Sequence, residues 1–164
     1  MILGMTTLTF AHVVLSLIGI FAGFFVVLGL LTAKRLDGWT ALFLASTVAT
    51  SVTGFFFPFH GFLPSHAIGI ISLVALAVAM FARYGRHLAG GWRRTYVITA
   101  MIALYLNVFI LIVQLFEKVP ALRALAPTLS EPPFKVTQLV VLALFVTLTI
   151  AAAIKFRSEP ALTA

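Results

Sequence analysis

The eleven basic and four acidic residues of this 164-residue chain all fall outside five long apolar runs. The runs cover roughly 6–33, 39–57, 66–82, 95–116 and 136–154, and none contains Asp, Glu, Lys or Arg. A hydrocarbon core about 30 Å thick takes about 20 mostly apolar residues of helix, so each run is long enough to cross a bilayer. The runs are continuous rather than alternating. That favours helices over a barrel, because backbone groups in lipid must find partners within each segment. The expected fold is all-α integral membrane: a compact five-transmembrane-helix bundle, one membrane domain over 1–164.

Composition removes the alternatives. The chain is 62% hydrophobic and 9% charged, with a mean hydropathy of +1.17, whereas soluble domains are about 45–50% apolar and about 25% charged. A soluble globular domain and a disordered chain are both excluded. With no cysteine, so are a disulfide scaffold, a thiolate metal site and a cysteine nucleophile. The first run lacks a basic leader, is too long for a signal sequence and is followed by Lys34-Arg35. It reads as a mature helix, with Met5 an equally good start because residues 1–4 add nothing structural.

Basic residues orient the bundle. Lys34, Arg35, Arg83, Arg86, Arg93, Arg94, Lys155 and Arg157 fall on one side, and Lys118, Arg123 and Lys135 on the other. This places the first and third loops and the C-terminus in the cytoplasm and the N-terminus outside. Trp39, Trp92, Tyr84 and Tyr96 form an aromatic belt at the cytoplasmic boundary, and Phe55, Phe56, Phe57, Phe59 and Phe62 crowd the outer one. The net charge of +7 then reflects topology and attraction to anionic lipid, so no nucleic-acid partner is needed. Arg83, Arg86, Arg93 and Arg94 form the candidate lipid-headgroup cluster.

Lipid does not drive helices together by hydrophobicity, so small and polar residues mark packing faces. His12, Ser16, Gly19 and Gly23 lie on one stripe of the first helix, with Gly19 and Gly23 forming a GxxxG pair. In the second helix Ser46, Thr47, Thr50, Ser51, Thr53 and Gly54 do the same, Thr50 and Gly54 being packing positions. The fourth carries Tyr96, Ala103, Asn107, Gln114 and Glu117 along one face, and the fifth carries Gln138 and Thr149. The bland reading of these side chains is interhelical glue. For Asn107, near mid-helix, a ligand contact is the other reading, since polar groups inside a membrane often mark functional paths.

The topology also gathers His12, His60 and His66 in the outer half, while His87 falls in the cytoplasmic loop. Three imidazoles with a carboxylate would suit zinc, copper or non-haem iron, and two could hold a haem. No HxxxH or HExxH spacing supports this. The outer loop, about 117–133, contains Leu122 and Leu125 at helical spacing and is expected to lie on the bundle as a lid, with Pro132 and Pro133 in the approach to the last helix. No P-loop, dinucleotide fingerprint, nucleophile elbow or zincin motif is present.

The stretches Leu104–Gln114, Val119–Leu122 and Ala126–Phe134 resemble small bacterial inner-membrane proteins of unassigned function. The resemblance implies a multi-pass protein of a bacterial inner membrane and no catalytic activity. The combined expectation is a polar outer-half pocket lined by Ser16, Asn107, Gln114 and Glu117, in a non-enzymatic ligand-binding protein or a membrane-complex subunit. One alternative is a redox protein holding a metal ion or haem through His12, His60 and His66. The other is a structural bundle that forms homo-oligomers.

Overall fold

The computed structural model describes residues 4–58, 61 and 64–156. Five long helices and one short one follow in order: α1 (Thr7–Leu31), α2 (Asp37–Gly54), α3 (Pro64–Met80), α4 (Trp92–Lys118), α5 (Pro120–Leu125) and α6 (Pro132–Lys155). α3 continues into a single π-helical turn, Phe81–Gly85. No strand occurs among the described residues.

Local chemistry explains the ends. The Thr6 hydroxyl accepts the Thr9 amide at 3.2 Å and caps α1, satisfying a donor that would otherwise have no partner. Asp37 places a negative charge in the first turn of α2, where the helix dipole favours it. Pro64 opens α3, and Pro132 and Pro133 form the first turn of α6. The two prolines were expected before that helix. They fit inside it because the first turn needs no intrahelical N–H and their fixed φ is already helical.

Four helical segments are long and apolar enough to cross a membrane: α1, α3 with its π turn, α4 and α6. The molecule is a helical, multi-pass membrane protein by that measure. α2 falls short on composition, with Asp37, four threonines and two serines in 18 residues. Its length, about 27 Å at 1.5 Å per residue, still matches its neighbours. The chain alternates between two ends. At one end Arg83 pairs with Asp37 and donates to the Arg35 carbonyl, and Arg93 donates to the Phe156 carbonyl. At the other, His12 meets Thr53 and Phe57, Phe55 lies beside His66, and Phe116 packs edge to face on Phe134.

The core lies where α1, α2 and α4 meet. α1 and α2 pack along their length, and the GxxxG pair sets their approach. A Cβ built on Gly23 would lie 2.5 Å from Leu104 Cδ1 and 3.2 Å from Phe43 Cδ2, so any side chain at this three-helix junction must displace the buried Leu104. One turn earlier, a Cβ on Gly19 would lie 2.9 Å from Thr47 Oγ1. Gly54 faces the His12 ring, and Thr50 is buried with its hydroxyl donating to the Ser46 carbonyl. Gly19, Gly23 and Gly54 thus face side chains of neighbouring helices, while Thr50 bonds within its own helix. The outer face carries exposed Leu, Ile, Val and Phe on α1, α3, α4 and α6, as a lipid-facing surface should.

Candidate functional site

α2 carries six hydroxyls, four of them on buried residues, and three bond back to their own helix. Ser46 donates to the Leu42 carbonyl at 2.6 Å, Thr50 to Ser46 at 2.8 Å and Thr53 to Ala49 at 2.7 Å. Such bonds to the preceding turn let a hydroxyl sit in an apolar medium without an outside partner. Thr47 is different. It is 1% exposed, and its hydroxyl has no hydrogen-bond partner.

Across from it, α1 and α4 contribute a paired layer. The Ser16 hydroxyl donates to Asn107 Oδ1 at 2.9 Å. Asn107 is 9% exposed, and its Nδ2, able to donate two hydrogen bonds, makes none. Thr47 Oγ1, Ser46 Oγ and Asn107 Nδ2 lie 2.9, 3.2 and 3.4 Å from the position a Gly19 Cβ would take. Two unsatisfied groups, a donor and a hydroxyl, thus both lie against the same glycine. An unmet hydrogen bond on a buried group costs about 1–3 kcal/mol, so a small molecule bonding to both has a large advantage there. The floor of this layer is apolar: Gly23, Phe43 and Leu104, one turn away.

Toward the His12 end the polar line continues. Thr53 already donates to Ala49, so it accepts from His12 Nδ1–H at 2.9 Å, which leaves the lone pair on Nε2. The His12 ring also stands edge-on to Phe57, with centroids 5.2 Å apart. His66 is buried at the start of α3, its ring 5.8 Å from that of Phe55. His60 lies outside the described residues, as do Phe59, Phe62 and Arg157. Among the described residues no group of three or more His, Cys, Asp or Glu side chains comes together as a metal site would require.

The expected outer pocket divides. Ser16 and Asn107 meet as anticipated, but Gln114 and Glu117 are exposed. The buried positions of α4 run from Ala103 and Asn107 to Val108, Ile112 and Phe116. Toward its C-terminal end the inward face of α4 has thus stepped onto the neighbouring i+4 ridge, and Gln114 and Glu117 turn away from the core. The connection 119–131 does fold onto the bundle, with Ala126 buried and Leu122 and Leu129 packed on the core. Beneath it lie the Phe116 and Phe134 rings, where a covered hollow was expected.

At the opposite end, Arg83 does not join an exposed basic cluster. It is 3% exposed, paired with Asp37 and placed 5.2 Å from the centre of the Tyr96 ring. Tyr96, expected in the boundary belt, is fully buried, and its hydroxyl has no partner. Arg93 is directed at the Phe156 carbonyl, Arg86 lies over Trp92 at 5.5 Å, and Arg94 is exposed. Sequence reasoning missed the burial of Arg83, although a signal existed: it continues the face of Ser72, Leu76 and Ala79 at spacings of four, three and four.

Set against known protein families, characterised proteins and solved structures, the chain matches none.

Proposed function

We propose that this is a non-enzymatic, five-crossing protein of a bacterial inner membrane, a binding protein or complex subunit. Its functional centre is the polar layer between α1, α2 and α4. The layer accepts a small uncharged hydrogen-bonding molecule, water being the smallest. One observation carries this reading: Asn107 Nδ2 and Thr47 Oγ1, both buried and both unpartnered, border the same space at Gly19. No charged residue lies in the surrounding helical stretches, so the preferred occupant is neutral. It must offer an acceptor to the amide and either role to the hydroxyl.

The fifth crossing rests on α2 running from the Arg83 end to the His12 end. The basic excess near the Arg83 end, counted over loops and flanks, supports a cytoplasmic location for that end. The bonds of Ser46, Thr50 and Thr53 to their own backbone and of Ser51 to Ser72 of α3 support a membrane setting for this polar helix.

Water-edited solid-state NMR of the protein in bilayers tests the site. Polarisation from water is expected to reach the Asn107 side-chain amide in the wild type and to be lost from Thr47 in Asn107→Leu. An Asn107 amide that receives none, together with unchanged melting of the Leu variant, would reduce the layer to dry glue and overturn the proposal. The natural absence of cysteine makes the topology testable alongside. In intact cells an impermeant maleimide should label Phe56→Cys and spare Gly38→Cys.

A further inference from the structure

We infer a second site, for the headgroup of a zwitterionic phospholipid bearing a primary ammonium, at the outer end of α4. It goes beyond the interior reading and does not depend on it. A depression of about 390 Å³ is lined there by Phe116, Glu117, Arg123, Pro127, Thr128 and Leu129, within the range of ligand-binding clefts. Glu117 ends α4 and Arg123 lies on α5, so the sharp turn at Val119 and Pro120 brings opposite charges to one rim. Neither is used internally. The Arg83–Asp37 bond is the ion pair among the described residues, and neither Glu117 nor Arg123 makes a side-chain hydrogen bond there.

The walls are held in place. Thr128 and Ser130 are tied to the Glu131 carboxylate, with the Thr128 hydroxyl donating to Oε1 at 2.7 Å and the Ser130 amide to Oε2 at 3.1 Å. Phe116 is fixed against Phe134. The backbone of the cleft is thus braced, and both a guanidinium and a carboxylate line it.

Charge complementarity selects the occupant. The Arg123 guanidinium matches a phosphodiester, to which its planar fork can donate two bonds. The Glu117 carboxylate then accepts N–H bonds from a primary ammonium. A quaternary ammonium has no N–H to give and is instead held by aromatic faces, and Phe116 offers the cleft little of one, being 5% exposed and set against the Phe134 ring. A phosphoethanolamine headgroup thus fits and a phosphocholine headgroup fits less well. The cleft lies at the end of a helix long and apolar enough to cross a membrane, where a span would meet lipid headgroups.

The test is native mass spectrometry of the full chain, released from detergent micelles doped with equal amounts of dioleoyl phosphatidylethanolamine and dioleoyl phosphatidylcholine. The wild type should retain several times more of the ethanolamine lipid. Glu117→Gln should level the two, and Arg123→Gln should lower both. Lys155→Gln, exposed at the opposite end, should leave the preference intact. Both cleft residues are exposed, so the variants should fold, and circular-dichroism melting checks this. Equal retention of the two lipids by the wild type, or a preference that persists in Glu117→Gln, overturns the proposal.

Discussion

α2 carries six hydroxyl side chains in 18 residues and buries Thr40, Ser46, Thr47 and Thr50, whereas α6 is mostly apolar and buries Gln138, Phe145 and Ala152. Val136, Leu139, Val140, Leu144, Val146, Ile150 and Ile154 of α6 all stay exposed. In water this would be an inverted protein. In lipid, apolar side chains gain nothing by leaving the surface, so the interior goes to residues that pack closely or bond across helices. Gly19 and Gly23 of α1 are the complement of α2: where α1 has no side chain, α2 supplies Ser46, Thr47 and Phe43.

The sharpest way to break this comparison is one substitution in the packed interior and one on the exposed face. Gly23→Ala pushes a methyl into Leu104 and should lower stability by about 1–3 kcal/mol, as overpacking does. Leu139→Ala on the exposed face of α6 should stay within about 0.5 kcal/mol. Unfolding in mixed micelles measures both, and equal losses would mean that the two helices share one kind of environment.

A smaller effect sharpens the same point. A double-mutant cycle with Ser16→Ala and Asn107→Leu should return a coupling of about 0.6 kcal/mol, no more than about 1.7, the range for hydrogen bonds between membrane helices. Zero coupling would show that α1 and α4 meet there by shape alone.

The smallest effect lies outside the membrane. The Thr128 hydroxyl, helped by the Thr128 and Ser130 amides, holds the Glu131 carboxyl below its ordinary pKa. A carboxylate lowered on folding stabilises its turn fully above the ordinary carboxylate range and stops doing so as pH falls through the lowered value. Exchange of the Thr128 and Ser130 amides, corrected for intrinsic rate, should therefore accelerate on acidification in the wild type. In Glu131→Gln it should not depend on pH in this way.

Much of this was legible in the residue order. Charge-free runs mark α1, α2, α3, α4 and α6 to within a few residues, because a membrane helix must exclude charge along its whole length. The GxxxG pair and the Ser16–Asn107 meeting follow from small and polar residues at helical spacing. Phase and depth were less legible. Gln114 is seven residues from Asn107 and shares its nominal face, yet α4 shifts its inward ridge before reaching it. Arg83 looked like one more loop cation because its partner, Asp37, is distant in sequence. Its burial depends on α2 and α3 ending side by side, with the Asp37 side chain still 78% exposed.

The polarity of α2 bears on how the chain enters the bilayer during synthesis. A segment carrying Asp37 and six hydroxyls partitions weakly into lipid on its own. Its hydroxyls become tolerable once folded back on their own turns and set against the glycine face of α1. Only Thr32 to Leu36 separate the two helices. Under the five-crossing reading, α1 and α2 leave the insertion machinery as one hairpin, and a substitution that fills Gly19 or Gly23 would first be felt as failed insertion of the helix after it.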